Sequence, residues 1–147
     1  MQNSTDTQLK IQTSLSETAV EGLFAGLVGG IAMLLYLLAA GLLSAEAAST
    51  TLGRFSIQAP PNPLQGALLH LAVSAIYGLI FGMVWSLLGR RASSWVVAAL
   101  FALVIYLLAQ FVLLPSTGSG LLQIAPAHFA LAHLVYALVL GFWFRGK

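Results

Sequence analysis

The stretch Gln65–Leu88 reads QGALLHLAVSAIYGLIFGMVWSLL, and its reading decides the fold. It carries no charged side chain and exceeds the roughly 20 apolar residues needed to cross a hydrocarbon core of about 30 Å. Within it Gly66, His70, Ser74, Gly78 and Gly82 recur every fourth residue, which sets them on one slowly rotating stripe of an α-helix. Small residues in such a stripe let a second backbone approach closely, as in membrane bundles. One imidazole sits among them.

The rest of the chain agrees with that class. Of 147 residues 59% are hydrophobic and only 7% charged, where soluble domains carry about 25% charged residues. The count of Cys is 0, which removes disulfides, thiolate metal sites and c-type haem attachment together. The net charge of +2 comes from six basic against four acidic residues rather than from a basic patch, so no nucleic-acid partner is expected.

Outward from the stripe, three more membrane helices are expected, at about 22–43, 95–114 and 126–144, with the central one at about 64–88. The first carries Gly22, Gly26 and Gly30 as GxxxGxxxG, continued by Ala32, Tyr36 and Ala40. That face packs either inside the bundle or against a second copy. Residues 1–20 are polar and lack the pattern of a removable signal peptide, so a polar tail is expected there. The spacings Ser14–Glu17 and Thr18–Glu21 fit capping boxes at the helix start. Between the first two helices, Ser44 to Pro63 reads as a loop of about twenty residues, and its APPNP run favours extended structure. Gly89, Arg90, Arg91, Ala92 and Ser93 form a short basic turn, Pro115 ends the third helix, and Pro126 opens the fourth.

Lys10, Arg90, Arg91, Arg145 and Lys147 fall on one side of the membrane, and the opposite loops hold only Arg54. By the positive-inside rule both termini are expected in the cytoplasm, with Trp85, Trp95 and Trp143 at that interface. The two halves also resemble each other. MLLYLLAAGLLS around Tyr36 aligns with LVIYLLAQFVLLP around Tyr106, and His70, Ser74, Gly78 align with His133, Ala137, Gly141. The expected fold is thus a polytopic bundle of four transmembrane helices arranged as two parallel-repeat hairpins. A rival register, pairing His70 with His128 and Trp85 with Trp143, breaks the small-residue row and is set aside.

Counting from the expected helix ends at about 1.5 Å per residue puts Tyr36, His70, Tyr106 and His133 about 10 Å below the outer surface, with Gln110 one turn nearer to it. Polar groups at such depth face inward and find partners. Three readings of this layer are open. The imidazoles bond tyrosine hydroxyls or backbone carbonyls and lock the hairpins together. His70 and His133 ligate a haem b or, singly, a chlorin magnesium. Or His and Tyr hold a quinone or another small apolar molecule. His128, two residues after Pro126, reads as interfacial.

Asp6, Glu17, Glu21 and Glu46 all lie outside the expected spans, which disfavours proton- or cation-coupled transport. Nucleophilic triads and carboxylate pairs are missing, and GLVGG at Gly26 to Gly30 lies inside a helix rather than in a phosphate loop, so no enzymatic activity is expected.

YLLAQFVLLP (Tyr106 to Pro115), AHLVYALVLG (Ala132 to Gly141) and HLAVSAIYGLIFG (His70 to Gly82) resemble a family of uncharacterised small bacterial four-helix membrane proteins, over roughly residues 20 to 144. Members often carry Trp at the position of Tyr106. The resemblance implies a fold and no activity. The expected function is an accessory or assembly subunit of a larger membrane complex of the bacterial inner membrane, of the electron-transfer kind. Its partners would be the lipid bilayer and other membrane subunits, or a second copy through the Gly/Ala faces. A haem-, chlorin- or quinone-binding protein and a small-solute transporter or channel are the alternatives.

Overall fold

The computed structural model describes residues 2–88 and 92–147, with side chains from residue 15 onward. Six α-helices follow one another: α1 (Gln2–Leu43), α2 (Ala48–Gly53), α3 (Pro63–Leu88), α4 (Ser94–Leu108), α5 (Leu114–Thr117) and α6 (Pro126–Trp143). A π-helical turn, Ala109–Leu113, joins α4 to α5 without a break, and a 3-10 turn spans Gly120–Gln123. Four segments are long and apolar enough to cross a membrane: Leu15–Leu43, Pro63–Leu88, Ser94–Thr117 and Pro126–Trp143. The all-α, four-span architecture expected from the sequence is therefore present.

Small residues set the order of the bundle. Gly22, Gly26 and Gly30 of α1 lie directly on Gly82, Gly78 and Ser74 of α3, so closely that a Cβ at Gly26 would stand 2.6 Å from the Gly78 Cα. Gly22, Gly26 and Gly30 thus pack within the bundle. On the adjoining side of α1, a Cβ at Gly29 would stand 2.8 Å from the Tyr136 ring of α6. α6 in turn packs along α4, where a Cβ at Gly141 would meet the Trp95 ring. α3 and α4 scarcely touch. A strict two-fold repeat would bring α3 against α4 as α1 lies against α6, so the repeat of sequence is broken in space at this one seam.

Several local expectations change. α1 runs unbroken from Gln2, so Thr18 and Glu21 lie within a helix and do not cap its start. Glu21 instead bonds Lys147 at 2.6 Å, tying α1 to the C-terminus. Lys10, Ser14, Arg90 and Arg91, on which part of the capping and orientation readings rest, lie outside the residues whose side chains are described. The loop after α1 is not wholly extended: it contains α2, whose end lies against Gly66, where a Cβ would collide with the Leu52 carbonyl.

Pro115 does not end the third span. It has no amide for the Phe111 carbonyl and crowds it, and the chain widens just before it, with the Leu114 amide bonding the Ala109 carbonyl five residues back. The helix ends at Gly118, whose φ of 61° is the left-handed conformation that glycine takes without strain. Trp85, expected at the interface, does not present its ring at the surface. It is 6% exposed and packs on Phe144, while Trp95 is exposed and Trp143 half-buried.

Candidate functional site

The seam between α3 and α4 holds a cavity of about 290 Å3. His70, Val73, Ser74 and Tyr77 of α3 line one wall, and Ile105 and Ala109, with Leu113 and Leu114, line the other. Met33 of α1 and Phe129, His133 and Tyr136 of α6 form its back. Phe55, Ile57 and Leu121 roof it from the two outer loops. Val73 and Leu113 are exposed, which marks the mouth as facing sideways, toward lipid rather than toward water. Above the roof lies a wider hollow of about 920 Å3 whose charged lining residue, Arg54, is paired with Glu46 at 2.6 Å. Ile57 and Ser119 line both spaces.

Helix geometry brings the two histidines to this cavity. His70 lies four residues after Gly66 and four before Ser74 on the buried stripe, and its Nε2 donates to the Gly30 carbonyl of α1 at 3.0 Å. His133 donates from Nδ1 to the Phe129 carbonyl one turn earlier in α6, at 2.8 Å. Phe55 stands edge-on to His70 with centroids 4.7 Å apart, and Phe129 and Tyr106 flank His133 at 4.6 and 5.6 Å.

A carbonyl oxygen only accepts, so in the neutral ring the bonded nitrogen carries the proton and the other keeps its lone pair. That assigns Nδ1 of His70 and Nε2 of His133 as acceptors. Neither has a hydrogen-bond partner among the described residues. Both rings line the cavity. Tyr136 adds a third polar group. Its hydroxyl donates to the Ser74 carbonyl at 2.7 Å, leaving its own lone pairs unused.

The expected layer of five residues is only partly assembled. His70 and His133 line one cavity, and Tyr106 packs against His133 without lining it. Tyr36 is elsewhere: its hydroxyl meets Nδ1 of the exposed His128 at 2.9 Å, nearer the outer surface. Counting inward from each helix end places Tyr36 level with His133 only if α1 and α6 end at the same height. The partner of Tyr36 is instead five residues ahead of His133, a difference of about 7.5 Å along the helix. Gln110 is half-buried in the π-helical turn and does not line the cavity. Tyr77 and Tyr136 do, and the sequence held a signal for both: they stand seven residues after His70 and three after His133, on the same helix faces.

Size limits what the cavity can take. A cavity of about 150 Å3 accommodates a benzene, so 290 Å3, open on its lipid side, has room for one substituted six-membered ring. No cluster of three or more His, Cys, Asp or Glu side chains stands ready for a metal ion among the described residues. The chemistry on offer is recognition: two or three hydrogen-bond acceptors fixed in an apolar chamber.

No curated protein and no solved structure matches this chain. The family of unknown function DUF6789 matches residues 16–146, nearly the whole length, including His70, His133 and all but the first residue of the four spans. With four membrane-length helices and a matched region that covers its entire bundle, the chain belongs to that family.

Proposed function

We propose that this protein is a non-enzymatic membrane subunit that holds a small ring-bearing lipophile of the quinone class between α3 and α4, as an accessory component of an electron-transfer complex. The observation carrying this reading is the pair of backbone-anchored imidazoles, His70 and His133, each with one ring nitrogen left without a partner, that line one cavity of single-ring size opening toward lipid. A purely structural pair of histidines has no use for such a cavity, since voids beside well-packed side chains forfeit contact energy. Glu17 and Glu21 lie in the first two turns of the first span, Leu15–Leu43, and the other three spans carry no carboxylate, which supports binding over ion-coupled transport. On the same reading the protein sits in a bacterial inner membrane with both termini in the cytoplasm, and its lipid-facing surfaces meet the other subunits.

The test is chemical. Protein purified gently into nanodiscs is extracted with organic solvent and assayed by ultraviolet absorption and mass spectrometry for prenylated quinones. About one quinone per chain is expected, falling severalfold in Ala109→Phe, which places a ring in the cavity wall. Retention no greater than that of an unrelated four-helix membrane protein prepared alongside would overturn the reading.

A further inference from the structure

We propose that the cavity distinguishes the redox states of its ligand and takes the reduced, hydroxyl-bearing ring in preference to the oxidised one. The inference rests on the quinone-class reading above and goes one step further, from ring to redox state.

The hydrogen-bond polarity of the chamber is set before any ligand arrives. The Gly30 carbonyl fixes the proton of His70 on Nε2, and the Phe129 carbonyl fixes that of His133 on Nδ1. Each bond joins the imidazole to a helix backbone, so exchanging tautomers would break it and leave a buried carbonyl facing a lone pair. The cavity is therefore offered His70 Nδ1 and His133 Nε2 as acceptors. The Tyr136 hydroxyl, its proton committed to the Ser74 carbonyl, offers only lone pairs as well.

A quinol brings two O–H donors on opposite corners of its ring, and the two histidines stand on different helices bordering the cavity, α3 and α6. A quinone brings two carbonyl acceptors, which cannot bond an acceptor nitrogen. The remaining hydroxyls of the lining, on Ser74, Tyr77 and Ser119, can donate or accept and so favour neither state. Ser74 Oγ lies against Gly30 of α1, where a Cβ would stand 2.6 Å from it. The prenyl tail of either form leaves through the gap between Val73 and Leu113, which makes the tail neutral in the choice and the ring decisive.

Leaving a buried acceptor unpaired weakens binding by roughly tenfold for each histidine concerned. Tenfold tighter binding of quinol than quinone raises the two-electron potential of the bound couple by about 30 mV. A bound ligand of this kind is held in its reduced state rather than drained of electrons.

The test uses the full chain in nanodiscs under anaerobic conditions, titrated with a 1,4-benzoquinol carrying one isoprene unit and, separately, with its quinone. The expected result is quinol binding at least tenfold tighter than quinone binding. His133→Phe should cut that ratio by about tenfold while leaving quinone affinity nearly unchanged, because the Phe129 carbonyl stays in its own helix. Should His133→Phe fail to fold, the ratio in the unaltered protein decides alone. Equal affinities, or tighter binding of the quinone, would overturn the redox preference and leave ring binding standing. Binding of neither form would overturn the ring-binding reading and this inference together.

Discussion

Replacing Gly26 by Ala probes the contact on which the bundle rests. The added Cβ would lie 2.5 Å from the Ser74 carbonyl oxygen, 2.6 Å from the Gly78 Cα and 2.9 Å from the Gly78 nitrogen. Carbon atoms come to rest at about 3.5–4.0 Å, so α1 and α3 must part by about 1 Å. All three atoms are backbone, and no rotamer change relieves the clash. Overpacking of this kind costs about 1–3 kcal/mol. The same displacement stretches the 3.0 Å bond from His70 to the Gly30 carbonyl beyond bonding distance, adding about 0.6 kcal/mol, the mean for such bonds in a membrane. The expected loss is about 2–4 kcal/mol. Unfolding by SDS in mixed micelles, followed by the fluorescence of Trp85, Trp95 and Trp143, measures it. Val28→Ala, on the lipid-facing side of the same helix, should change stability by less than about 0.5 kcal/mol. A Gly26→Ala protein as stable as its parent would refute the close α1–α3 contact. So would a loss of stability that scaled with protein concentration, which would place the glycine row between two copies.

Tyr136→Phe removes the donor to the Ser74 carbonyl while keeping the ring against Gly29, and should cost about 0.6–1.7 kcal/mol in the same SDS titration. Pro115→Ala returns an amide to the Phe111 carbonyl, so the π-helical turn should relax to α-helix with a gain of up to about 3 kcal/mol. Because Ala109, Leu113 and Leu114 line the cavity from that turn, the same variant should bind quinol more weakly; unchanged affinity would separate the turn from the site. Glu21→Gln breaks the partly exposed pair with Lys147 and should shift stability by no more than about 1 kcal/mol, an effect that vanishes at high salt.

Much of this arrangement is legible in the amino acids. Spacing by four at Gly66, His70, Ser74, Gly78 and Gly82 implied one buried face, and all five residues are buried. The stripe does not name its neighbours, however: Gly66 serves α2, whereas Ser74, Gly78 and Gly82 serve α1. The pairing of His70 with His133 came from the repeat, and both line one cavity. Tyr36 was misplaced because depth counted along a helix depends on where that helix ends, and α1 projects beyond α6. Pro115 read as a terminus because sequence shows the missing amide but not the wider turn that accommodates it. The cavity had no sequence signal at all. It exists because α3 and α4 stay apart while α1 draws both α3 and α6 to itself, a consequence of where glycines sit on a third helix.

The central claim is that His70 and His133 turn fixed acceptor nitrogens into one ligand cavity, and the 15N spectrum of ring-labelled histidines in bilayers reads it atom by atom. Two opposite neutral tautomers are predicted, with the proton on Nε2 of His70 and on Nδ1 of His133. Added short-chain quinol should move the resonances of the two unprotonated nitrogens and leave the exposed His128 unmoved. Reversed tautomers, or unprotonated resonances indifferent to quinol, would contradict the account.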